Sequence, residues 1–155
     1  MKRLVPIALS LMLALLAVIG HSSDARAQVT GEVLIIHAQE APGEIDPALR
    51  DITALQRAPF NSYRTMRVLS RPALTLSVGA NSSVLLPNGR QLRITLERIT
   101  ENGRFELSVS ISRPNGPDYL REARIVAAPG DPFFVAGQSH NDGILLIGIK
   151  LGSRS

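Results

Sequence analysis

The chain has 155 residues, with 17 Lys and Arg against 13 Asp and Glu, three His and no Cys. The absence of Cys excludes a lipid-modified N-terminal Cys, disulfides and thiolate metal sites. The charge is too balanced to imply nucleic acid as a partner, and the apolar content favours a folded chain over a disordered one.

The first element is a signal. Lys2 and Arg3 precede an apolar run over 4–19, broken only by Pro6 and Ser10. Gly20, a polar stretch over 21–24 and Ala25-Arg26-Ala27 follow. This charged, apolar and small-residue order predicts a cleavable secretory signal over 1–27, cut between Ala27 and Gln28. The apolar run is about 16 residues, short of the ~20 that span a bilayer. The expected mature protein is a single β-rich domain over 28–155, periplasmic or secreted, with no transmembrane span after cleavage.

Val33-Leu34-Ile35-Ile36 predicts a buried strand over 31–38. After a loop at Ala41-Pro42-Gly43-Glu44, Asp46 stands as an N-cap and Pro47 as a first helical residue. Leu49, Ile52 and Leu55 then recur on one face, and Pro59 stops the segment near Arg57. The reading is one N-terminal α-helix, part of a β-α-β start with a right-handed crossover into a strand over 63–70.

Beyond Tyr63 the apolar period becomes two. Leu74, Leu76 and Val78 alternate with polar residues, and a short strand over 83–86 runs into the turn Pro87-Asn88-Gly89. A hairpin over 91–112 is expected to turn on Asn102-Gly103 as a two-residue loop. It would bury Phe105, Leu107, Val109 and Ile111 and leave Glu106, Ser108 and Ser110 outward. Strands over 119–127 and 133–136 follow, then a turn over 139–143. The last strand, 144–151, is apolar at nearly every position, so both its faces should be covered. The expected fold class is mainly β (α+β), an antiparallel sandwich or partly open barrel.

Chemistry is sparse. His37 and His140 are the only histidines after the signal, and a metal site ordinarily needs three or four convergent ligands. Ser139 beside His140 lacks the second Gly of a nucleophile elbow, and neighbouring strand side chains point apart. Glu97, Glu101, Glu106 and Glu122 read as solvated surface rather than a paired acid and base. Phosphate-cradling glycine motifs are missing. No catalytic, cofactor or metal residue is expected. The alternative is a small envelope hydrolase or metal-dependent enzyme using His140 with Asp131 or Asp142. The clearest charge asymmetry is Arg57, Arg64, Arg67 and Arg71, with no acid between them. It would suit an anionic partner.

The stretches Pro59-Phe60-Asn61-Ser62-Tyr63-Arg64, Leu85-Leu86-Pro87-Asn88-Gly89-Arg90 and Pro132-Phe133-Phe134-Val135-Ala136-Gly137 before Gly143-Ile144-Leu145-Leu146-Ile147 resemble a group of small exported proteins of myxobacteria and related bacteria. The resemblance implies export, a β-rich domain and an envelope role, and carries over no catalytic residues. Together these readings point to a non-catalytic binding or scaffold module of the cell envelope. Its expected partner is an envelope protein or an anionic envelope polymer, met by strand addition at a sheet edge.

Overall fold

The computed structural model describes residues 27–113 and 116–152, so the expected export signal lies outside the described residues except for Ala27. Among them nine strands form two antiparallel sheets. They are β1 (Gln28–Gln39), β2 (Thr65–Ser70), β3 (Ala73–Ser77), β4 (Asn81–Leu85), β5 (Gln91–Ile99), β6 (Phe105–Arg113), β7 (Gly116–Ala127), β8 (Phe133–His140) and β9 (Gly143–Leu151). One sheet runs β2-β1-β9-β8, with β3 also paired to β1; the other runs β4-β5-β6-β7. They pack as a sandwich, and the sheets do not close into a barrel. Among the described residues no helix is long and apolar enough to cross a membrane.

The two-residue period builds the interior directly. Val33 and Ile35 of β1, Leu92, Ile94 and Leu96 of β5, Leu107, Val109 and Ile111 of β6, and Leu145, Ile147 and Ile149 of β9 share one buried core between the sheets. Each such side chain contributes about 1.5–3 kcal/mol when fully buried. The alternate residues of β1 and β9 fill a second core on the other side of the same sheet. Leu34, Ile36, Ala38 and Leu146 lie there with Leu49, Leu55 and Met66. β9 is therefore covered on both faces, as its composition predicts. Phe133 and Phe134 divide between the two cores. Consecutive strand residues point to opposite faces, and here each face has a core to meet.

The expected α-helix is not formed. Three short 3-10 turns, Pro47–Leu49, Thr53–Gln56 and Phe60–Ser62, take its place and extend to the start of β2. Asp46 does cap the first, its Oδ1 accepting from the Ala48 amide at 3.0 Å. Ile52 then adopts an extended conformation, φ −84° and ψ 97°, and interrupts any longer helix. The reason lies in the spacing. Leu49, Ile52 and Leu55 recur strictly every third residue, the repeat of a 3-10 turn, while Thr53 and Gln56 occupy the positions an α-helix would also bury. The apolar side chains still meet the sheet: Leu49 and Leu55 are buried, and Ile52 packs against them.

The β-α-β crossover is likewise replaced. β1 and β2 pair antiparallel, with Ile36 opposite Val68 and Ala38 opposite Met66. The intervening segment leaves and returns at one sheet end. It is pinned there by Arg64 N–H to Gln39 O at 2.9 Å and Asp46 N–H to Met66 O at 2.9 Å.

The β5–β6 hairpin has the predicted partners, Leu92 opposite Ile111 and Ile94 opposite Val109. Its loop is longer than two residues. Gly103 N–H bonds Thr100 O at 2.9 Å, Thr100 N–H bonds Arg104 O at 2.9 Å, and Gly103 takes the positive φ of 75°. One positive-φ glycine after a turn is the three-residue alternative to Asn-Gly at both central positions.

Candidate functional site

The strands of the five-stranded sheet change character at one level. Gln138 of β8 and His37 of β1 both lie opposite Leu145 of β9, and Arg67 of β2 lies opposite His37. Directly opposed residues share a face, so these four form one row on the inward-facing side. In the adjacent row of that face Val135, Ile147 and Ile35 are apolar and buried, and only its β2 member, Ser70, is polar and exposed. A β-bulge between Val135 and Gln138 reverses the side-chain parity of β8. It turns Gln138 inward, where its Oε1 accepts from Asn88 Nδ2 and Arg90 Nη1, each at 2.9 Å.

β8 runs through to His140, further than the sequence predicts, and the turn narrows to Asn141-Asp142, with Asn141 at φ 50°. Such a conformation is tolerated by Asn better than by most residues. The tight turn brings His140 opposite Gly143. A Cβ at Gly143 would stand 2.4 Å from Ala38 O and 2.8 Å from His37 Nε2, so glycine is required for the two histidines to meet. Their ring centres are 5.8 Å apart and the planes cross at 86°. His37 Nε2 is 3.5 Å from Asp142 Oδ1, within ion-pair reach but longer than an ordinary hydrogen bond. That nitrogen is buried and has no hydrogen-bond partner. Asn141 Nδ2 lies 3.3 Å from His140 Nε2. These side chains line an open cleft of about 400 Å³ together with Arg67 and Leu69. Among the described residues no three His, Asp or Glu side chains stand ready around one point as a metal shell.

The four arginines singled out by sequence are all exposed, and the structure distributes them. Arg57 and Arg71 line a cleft of about 620 Å³ on the outer side of the five-stranded sheet, with Lys150 and three acids, Glu32, Asp51 and Asp131. Arg64 and Arg67 line another, with Arg50, Glu44 and Asp46. Both clefts are of mixed sign.

Asp131 precedes β8 and His140 ends it, and the two line different clefts. The pairing of His140 with Asp131 is therefore not formed; Asp142 is the carboxylate beside the histidines. Ser139 and His140 are consecutive residues of β8 and point apart. Glu97, Glu101 and Glu122 are exposed, and Glu106 pairs with Arg98.

His37 joining His140 is what sequence reasoning missed. A signal was present. On β1 the inward positions Val29, Val33 and Ile35 are followed at the same parity by a histidine, which marks where the core ends. Comparisons with family models, curated proteins and solved structures find no match to this chain.

Proposed function

We propose that the chain is an exported, non-catalytic binding module of the cell envelope, periplasmic or secreted, that takes an envelope protein by strand addition. The observation that carries this reading is the edge at β7. This strand has twelve residues and ends its sheet, paired among the described residues with β6 alone. Its other flank offers a row of backbone donors and acceptors, the template that an extended partner segment completes. Exposed Arg121, Glu122, Arg124 and Val126 set which side chains such a segment presents. The signal-like N-terminus and the resemblance to exported proteins support the location.

The test joins capture to mapping. The purified chain captures a partner from an envelope fraction at low salt, and amide hydrogen exchange is then measured on the complex. The expected result is one specific envelope protein and new protection along β7. Recovery of nothing specific, or protection confined to other strands, would overturn the proposal. The shared cleft of His37, His140 and Asp142 favours a second reading, a small envelope hydrolase or metal-dependent enzyme, which differs in requiring substrate turnover.

A further inference from the structure

We infer that the β7 edge pairs with the β7 edge of a second copy of this chain, antiparallel about a twofold axis at Ala123. The inference rests on the reading of β7 as a strand-adding edge and names what fills that edge before an envelope partner arrives.

Charge and register carry it. On β7, Ala123 and Ile125 lie opposite Val109 and Leu107 of β6, which belong to the core, while Arg124 and Val126 lie opposite Ser108 and Glu106. Directly opposed residues share a face, so Arg124 and Val126 stand on the outer surface of the sheet. Glu122 precedes Arg124 by one strand period and is likewise exposed, which places it on that surface too. When two antiparallel strands pair about a twofold axis through one residue, the residues on either side of it meet their counterparts crosswise. With the axis at Ala123, Glu122 of each copy meets Arg124 of the other, and both charges are matched at once. An axis at Glu122 would set carboxylate against carboxylate, and one at Arg124 would set guanidinium against guanidinium. Directly opposed like charges are destabilising, so the side chains select the axis at Ala123. The small side chain there leaves the axis uncrowded.

The same edge limits the assembly to two. A twofold contact closes on itself and leaves no second β7 edge for a third copy. β4, at the other end of the sheet, has only five residues. Between Ala123 and Leu120, β7 carries one residue more than β6 does between Val109 and Ile111. The bulge bends the edge and confines the contact to the residues around Ala123. An added strand would also shield Val126, which is 56% exposed. Main-chain hydrogen bonds supply the attraction and the charges supply the selection. A contact this short is released by dilution, which returns the edge to an envelope partner.

The test uses the untagged chain as isolated from the cell, in sedimentation equilibrium over a wide concentration range and in amide hydrogen exchange at both ends of that range. The expected result is a monomer–dimer equilibrium, with protection around Ala123 that rises with concentration. Glu122→Arg brings cation against cation, and Arg124→Glu brings anion against anion. Each variant, its β-type circular dichroism intact, should self-associate roughly tenfold more weakly or worse, because like charges then stand opposed twice in a symmetric pair. An equimolar mixture of the two variants should regain wild-type association, since each copy then meets the opposite charge. A wild type that stays monomeric throughout, or variants that do not complement each other when mixed, would overturn the inference. A monomer that still captures an envelope protein along β7 would sink self-pairing alone. A dimer that captures nothing specific would sink only the envelope partner.

Discussion

The two ends of the sandwich are built from the same strands and differ completely. At one end Val29, Phe105, Ala127 and Leu151 are buried, and the chain seals over them through Gly130 N–H to Leu151 O at 2.8 Å and Gly152 N–H to Thr30 O at 2.9 Å. At the other, the inward positions of β1, β8 and β9 turn from apolar to His37, Gln138, His140 and Gly143. No strand ends where the change occurs; only the side chains change. Packing in the middle and at the sealed end supplies the stability. The far end can then hold groups that cost something to keep, such as a buried imidazole nitrogen that makes no hydrogen bond.

That contrast has measurable consequences. Leu107→Ala, in the apolar interior, should lose about 3 kcal/mol of unfolding free energy, because it removes contacts and leaves a cavity. Urea denaturation would read this, and a loss no larger than that of a surface substitution would refute the assigned core. Gln138→Leu, at the polar end, should cost about 1 kcal/mol. It removes the acceptor for Asn88 and Arg90 but also removes a buried amide nitrogen that lacks a partner. A gain in stability would mean that the polar row serves packing no better than leucine.

The smallest effect belongs to the outer surface of the four-stranded sheet. Arg98 Nε donates to Glu106 Oε2 at 3.0 Å. The hydrogen bond with Arg98 holds the Glu106 carboxyl below its usual range, against a weaker opposing effect of desolvation. A carboxyl depressed in the folded state stabilises at pH values above its unfolded pKa and loses that contribution as pH falls through the folded one. Glu106→Gln should therefore match wild type in acid and fall slightly below it at neutral pH. Added salt should shrink the gap. A variant that is weaker in acid as well would show that the pair acts through packing.

The strands were legible because their periodicity is simple. The β5–β6 partners, the turn at Pro87-Asn88-Gly89 and the double burial of β9 all follow from alternation and turn chemistry. The segment between β1 and β2 was misread because Asp46 and Pro47 announce a helix equally well for α and 3-10 turns; only the strict spacing of Leu49, Ile52 and Leu55 separates them. The candidate site was half legible. His140 and Asp142 stood out beside a turn, but which strand faced them depends on long-range register. The bulge at Val135–Gln138, which reverses the facing of Gln138, leaves no mark in the local pattern.

The central ribbon of β1 and β9 serves as a party wall. One side belongs to the chamber between the sheets, the other to the chamber roofed by the 3-10 turns. Neither room can be remodelled privately. A bulkier residue at Ile35 or Ile147 presses on backbone that also carries Ile36 and Leu146, so damage beneath the roof and damage between the sheets should be inherited together. Freedom to vary is left to the outer surface of β4 to β7, which has no second tenant.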